Sequence, residues 1–253
     1  IERLFQPNDV PEDLQIKLAT SKIEKANLAS NLQVEQGRNN LFADQIDQIS
    51  GQVGTLTKLS QTDKELLQKY SKVYFLSDNY VPSQLINIDP AYVKDKSQTL
   101  QIHTGVWPYL RGLLQASVDK GTPLLIASAY RSFGEQSDLK AAYKVTYGAG
   151  SANSFSADQG YSEHQLGTTV DFSTNTSTSA TFEQTTANKW LISNAYKYGF
   201  ILSYLKQNKY YVYEPWHWRF VGVTLATKLH DENKYFYELD QREIDQSLVS
   251  IFD

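Results

Sequence analysis

Between Leu14 and about Leu59 the chain contains no proline, and only Gly37, Gly51 and Gly54 interrupt it. Apolar residues recur there at Leu28, Leu32, Phe42, Ile46, Ile49, Val53 and Leu56, in steps of three and four that suit an a/d seam. A strand alternates with a period of two, so this spacing commits the segment to a long helix. Pro11-Glu12-Asp13 reads as its start, with proline and acids in the first turn, and residues 1–10 read as irregular. A straight helix over residues 14–56 spans about 65 Å at roughly 1.5 Å per residue. Glu35 and Asn39 fall on the seam and leave it imperfect. The stretch therefore reads as a coiled-coil stalk, one arm of a helical hairpin, or a surface helix folded back on the rest. It sets residues 1–60 apart from residues 61–253.

The remainder reads as one compact α+β domain, a small and mainly antiparallel sheet with helices packed on it. The whole chain has 253 residues, 41% hydrophobic and 21% charged, enough to bury a sizeable core. Short helices are expected at Leu66–Tyr74, Trp107–Val118 and from Phe133 to about Tyr147. Further helices are expected at Phe182–Tyr198, capped by Gly199, and from Val223 to about His230. Strands are expected at Leu124–Tyr130, apolar enough to be buried on both faces, and at Thr168–Phe172, Phe200–Tyr204 and Tyr210–Tyr213. A long polar loop spans Gly148–Tyr161, and a charged aromatic tail closes the chain. A net charge of −4 with no basic run argues against nucleic acid as a partner. No apolar run approaches the roughly 20 residues of a membrane span. The chain starts at Ile1 and lacks methionine, so it reads as a mature or trimmed fragment. Any membrane anchoring is expected only through a segment missing from this chain.

The chain has no cysteine and four histidines, so a metal site must be built from His, Asp and Glu. Ser162-Glu163-His164-Gln165-Leu166-Gly167-Thr168-Thr169-Val170-Asp171 packs an imidazole and a carboxylate around a permissive glycine. Glu214-Pro215-Trp216-His217 adds a second imidazole and a second carboxylate between two tryptophans that can wall off solvent. On an ideal strand Glu214 and His217 would face opposite sides, and Pro215 argues for a bulge or bend that brings both toward one cavity. One zinc held by His164, Asp171 and His217 would keep a coordination position open, as catalytic zinc does. Glu214 would then act as general base, and Arg131, at the end of a core strand, would face a developing oxyanion or a substrate carboxylate. Each residue also has a plain structural reading: packed histidines at 164 and 217, a turn role for Asp171, a surface ion pair for Arg131. His103 and His230 lack such motif context and read as structural.

Tyr130-Arg131-Ser132 followed by Ser-x-His-x-x-Gly-x-x-x-Asp and Glu-x-Trp-His resembles the VanY-type D-alanyl-D-alanine carboxypeptidases, a family of zinc peptidases whose fold the L,D-carboxypeptidases share. The likeness runs from about Tyr70 to the C-terminus through Ser128–Ser132 with Gln136, Gly160–Gln165, Trp190-Leu191 with Asn194-Ala195, Tyr198–Phe200 and Glu214–Gly222. It departs from the family pattern at Leu205 and at Thr168-Thr169. The resemblance implies a hedgehog/DD-peptidase-like fold, one Zn²⁺ on His164, Asp171 and His217, and Glu214 as catalytic base. It also implies Arg131, Gln136 and Ser162 as substrate contacts, with Ser154 or Ser156 as a further one. The expected function is zinc-dependent hydrolysis of the terminal D-Ala-D-Ala bond of peptidoglycan stem peptides. The alternatives are L,D-cleavage, cross-link endopeptidase activity, or a non-catalytic cell-wall-binding module. Such a protein is expected outside the cytoplasm, at the cell surface or in the periplasm, with dimerisation through the N-terminal helix.

Overall fold

The computed structural model describes residues 11–61, 76–147, 157–248 and 251–252. The expectations for residues 1–10, the helix at 66–74, most of the 148–161 loop, and Ser154 and Ser156 lie outside them. The chain divides into two compact units, Ile1–Ser60 and Gln61–Asp253.

In the first unit, helix α1 runs over Glu12–Gln61, with Glu12 and Asp13 in its first turn. Those acids sit where the exposed N–H groups and the helix dipole favour negative charge. Fifty residues at about 1.5 Å each make α1 about 75 Å long. Its seam side chains are exposed, Leu28 at 69%, Ile46 at 62% and Leu56 at 64%.

In the second unit a four-stranded antiparallel sheet has the order β3-β4-β6-β5. Its strands are β3 (Leu125–Ser128), β4 (Thr169–Ser173), β5 (Phe200–Leu202) and β6 (His217–Phe220). A separate antiparallel pair, β1 (Leu85–Asn87) with β2 (Gln101–His103), escaped the sequence reading because neither strand alternates over enough residues to show a period. Helix α2 (Trp107–Asp119) buries Leu110, Leu113 and Leu114 at helical spacing. Helix α3 (Phe133–Tyr147) follows β3 directly.

The structure corrects several expected elements. β3 is shorter than Leu124–Tyr130, and it alternates in burial instead of being covered on both faces. The single helix expected over Phe182–Tyr198 is split into α4 (Ser179–Phe182), α5 (Thr186–Asn194) and a 3₁₀ turn over Ala195–Tyr198. The break falls at Thr185, whose hydroxyl accepts from the Asn188 N–H and starts a new helix. Gly199 does close this run, at φ +80°, and an added Cβ there would meet Phe220. No strand forms at Tyr210–Tyr213. Instead the Asn208 carboxamide accepts from the Tyr210 and Tyr211 N–H groups, the kind of local bond that competes with a ladder. After α6 (Val223–Asp231), the supposed tail contains α7 (Gln241–Leu248), whose Ile244 is buried in the core.

The core lies between the sheet and helices α2, α5 and α6. Phe220 on β6 is fully buried, with ring centroids 5.4 Å from Phe200 and 5.0 Å from Tyr109. Phe220→Ala would empty a site enclosed by rings that cannot collapse into it. A loss of about 3–5 kcal/mol of unfolding free energy is expected by denaturant titration.

Candidate metal centre and catalytic site

Asp171 and His217 are brought together by strand register. They face each other directly across the antiparallel β4–β6 pair, next to Val170–Trp218 and Thr169–Arg219. His164 arrives from a 3₁₀ turn, Glu163–Leu166, that opens at Ser162 and closes at Gly167. Gly167 adopts φ +68°, and a Cβ there would meet Leu85 at 3.0 Å, so both conformation and space call for glycine. The turn is tied down by the His103 N–H, which donates to the Gly167 carbonyl at 2.7 Å.

The two imidazoles and the carboxylate converge. His164 Nε2 lies 3.3 Å from Asp171 Oδ2, and His217 Nδ1 lies 3.2 Å from Asp171 Oδ1. One donor atom from each residue falls within 4.8 Å of the others. The far nitrogen of each ring is engaged elsewhere. His164 Nδ1 is 2.6 Å from the Ala129 carbonyl, and His217 Nε2 is 2.9 Å from Glu163 Oε2. Both partners accept only, so those nitrogens carry protons; His217 Nδ1 also faces an acceptor, Asp171 Oδ1, and would release its proton on binding a metal. His164 Nε2 is buried and makes no hydrogen bond. A buried lone pair with no donor facing it is what a divalent metal would satisfy, and two imidazoles with a carboxylate are a zinc-type donor set.

Glu214 and Arg131 flank this cluster. The His217 N–H donates to the Glu214 carbonyl, closing a turn over residues 214–217. Pro215 therefore sits in a turn before β6 begins, and Glu214 Oε2 comes to 3.6 Å from His217 Nδ1. Arg131, just past β3, places Nη2 3.9 Å from Asp171 Oδ2. A cavity of about 440 Å³ is lined by Arg131, Gln136, Ser162, His164, Asp171, Glu214 and His217, together with Tyr204 and Trp216. The Gln136 amide donates to the Ala157 carbonyl, and the Ser162 hydroxyl accepts from the His164 N–H at 3.4 Å. Every expected site residue that the structure describes lines this one cavity. His103 stacks on Phe252 and His230 on Tyr196, both away from it. The two tryptophans part company: Trp216 lines the cavity, whereas Trp218 is buried on the core side with its indole N–H on the Pro215 carbonyl.

Burial sets the electrostatics. It raises the Glu214 carboxyl to about 7, against the pull of His217, with Asp171 adding to the rise. Burial and the Arg131 guanidinium lower His164 to about 4. At His217 burial acts downward, but hydrogen bonds to Asp171 and Glu163 win and raise the ring to about 9. Asp171 is held well below the usual carboxylate range because its imidazole partners outweigh its burial.

The sequence reading missed Glu163, Arg219 and Tyr204. Glu163 and Arg219 are fully buried and paired at 2.8 Å. Tyr204 stacks on the His217 ring at 3.7 Å and 13°. A signal was present, since Arg219 stands among Trp218, Phe220 and Val221 and must be matched if that run is buried.

A family profile described as VanY, D-alanyl-D-alanine carboxypeptidase, matches residues 99–223. The putative carboxypeptidase YodJ of Bacillus subtilis is 33% identical over 180 residues, 68% of this chain and 66% of that protein. Residues 99–223 are a VanY-family domain. The chain spans just under two thirds of the length of that curated relative. Among solved structures, the LdcB LD-carboxypeptidase matches with a TM-score of 0.61 at 29% identity, over 69% of this chain and 86% of its own. A mutant of the vancomycin resistance D,D-pentapeptidase VanY in complex with Zn(II) matches with a TM-score of 0.54 at 28% identity, over 67% of this chain and 98% of its own.

Because Glu163 and Arg219 share one dry site, removing either strands the other. Arg219→Met is expected to cost about 3–5 kcal/mol of stability, read by thermal and denaturant unfolding.

Proposed function

We propose that residues 61–253 form a zinc-dependent D,D-carboxypeptidase that hydrolyses the terminal D-Ala-D-Ala bond of peptidoglycan stem peptides. The observation that carries this reading is the convergence of His164 Nε2, His217 Nδ1 and Asp171, with Glu214 3.6 Å from His217 and Arg131 3.9 Å from Asp171. The Zn(II)-bound family structure supports the metal's identity.

His164, Asp171 and His217 would hold the zinc, which supplies Lewis acidity to a water and to the scissile carbonyl. Glu214 takes a proton from the attacking water and returns it to the leaving amine. Its carboxyl suits that exchange because burial places it near neutrality. Arg131 has its guanidinium on the cavity side and stabilises either the oxyanion or the terminal carboxylate of the peptide. Gln136 and Ser162 contact the peptide from the same wall. No acyl-enzyme forms in this scheme.

L,D-cleavage of a tetrapeptide stem is the second reading, favoured by the likeness to the LdcB LD-carboxypeptidase. Incubating the zinc-loaded protein with penta- and tetrapeptide stems and weighing the released amino acid by mass spectrometry separates the two. D-alanine from the pentapeptide alone supports D,D-cleavage, and release from neither overturns both. Glu214→Ala is expected to cut kcat by at least about 10²–10⁴-fold with zinc still bound. Full activity in that variant would overturn the base assignment.

We also propose that the protein works outside the cytoplasmic membrane, at the cell surface or in the periplasm, where a peptidoglycan substrate would be met. Helix α1 supports a further proposal, a homodimer built on its seam. Leu14, Leu18, Leu28, Leu32, Phe42, Ile46, Ile49, Val53 and Leu56 continue one 3-and-4 register along an exposed helix. Sedimentation velocity is expected to give a dimer that Ile46→Asp with Ile49→Asp dissociates. A monomer at all concentrations overturns this.

A further inference from the structure

The proposed reaction makes no direct use of Glu163, yet no other carboxylate in the site is bonded so fully. It is completely buried and does not line the cavity. Its Oε1 accepts from Arg219 Nη1 at 2.8 Å and from the Tyr237 hydroxyl at 2.5 Å. Its Oε2 accepts from the Ser203 hydroxyl at 2.7 Å and lies 2.9 Å from His217 Nε2. Three donors fix the carboxylate before His217 is counted, and Arg219 is itself held over the Phe236 ring at 4.5 Å.

We infer that Glu163 is a positioning residue that fixes the tautomer and orientation of His217, so that this histidine binds the metal through Nδ1 while His164 binds through Nε2. The inference rests on the zinc reading of the site. An ionised carboxylate cannot donate, so it admits only the ring edge that carries a proton. If the ring turned over about Cβ–Cγ, Cδ2 would replace Nδ1 in front of Asp171 and Cε1 would replace Nε2 in front of Glu163, at the cost of a buried hydrogen bond to a charged group. Tyr204, stacked 3.7 Å from the ring at 13°, blocks the tilt that a looser ring would use. On the other side the Ala129 carbonyl imposes the opposite tautomer on His164. The two imidazoles therefore meet the metal through different nitrogens, each set by a different acceptor. The carboxylate also pushes electron density into the His217 ring and makes it a better ligand.

The test compares the full chain with Glu163→Gln, which keeps shape but loses the charge that holds Arg219. Zinc affinity by chelator competition is expected to fall about 10–100-fold in the variant, measured on protein shown by circular dichroism to be folded. A purely structural role would lower the melting temperature and leave the affinity of folded protein unchanged. The same affinity in both proteins overturns the inference. Should the variant not fold, the wild-type protein decides. Long-range ¹H–¹⁵N NMR of the zinc-loaded form is expected to show His217 protonated on Nε2 and metallated on Nδ1, with His164 the reverse. Two Nε2 ligands, or a wild type that takes up no zinc, overturn it. A wild type that binds zinc with these tautomers but cleaves no stem peptide would sink the peptidase reading and leave this inference standing.

Discussion

The register of β4 against β6 is the constraint on which the rest of the site depends. Pairing Asp171 with His217 sets a carboxylate opposite an imidazole, and the same ladder sets Thr169 opposite Arg219. Side chains alternate along a strand, so a slip by one residue would turn His217 into the core and Trp218 into the cavity. The core resists that slip. Trp218 and Phe220 are large, buried and on the face opposite His217, and Phe220 is enclosed by Phe200 and Tyr109. Hydrophobic packing on one side of β6 thereby holds the donor geometry on the other.

Arg219 is the exception to that alternation in chemistry, though not in burial. It shares the inward-facing parity of His217, but in place of the cavity it meets Glu163. Burying this pair is worthwhile only if the remaining donors and acceptors are matched, and Tyr237, Ser203 and His217 supply the matches to the carboxylate. Glu214, on the cavity side of the same network, has its carboxyl raised by burial, with Asp171 adding to the rise.

The legible parts of this chain were those written in local pattern. The seam of α1, the Leu110, Leu113 and Leu114 face of α2, and the glycine ends at Gly167 and Gly199 all follow from spacing or backbone freedom. His164, Asp171, Glu214 and His217 stood out because cysteine was absent and histidine scarce, so few donor sets were available. Local pattern also misled. Tyr210–Tyr213 has strand composition, but the Asn208 side chain captures its N–H groups, and Thr185 breaks a helix that periodicity alone would continue. Residues chosen for what they meet across the fold stayed hidden. Glu163 touches Ser203, His217, Arg219 and Tyr237, all at least forty positions away, and no window along the chain contains that arrangement.

Glu163 and His164 also show how adjacent residues can serve two layers of one site. In a strand, neighbours face opposite sides of a sheet and would not meet the same third residue. In the tight 3₁₀ turn between Ser162 and Gly167 they diverge by about a third of a turn, which lets His164 approach Asp171 while Glu163 reaches around to the far edge of His217. One imidazole is thus gripped from both edges by elements of different origin, β4 through Asp171 and the turn through Glu163. A displacement of the turn would move a candidate ligand and the support of the other together. That coupling is why the turn needs its left-handed glycine, its serine cap and its anchor on the His103 N–H: small errors there are felt at both histidines at once.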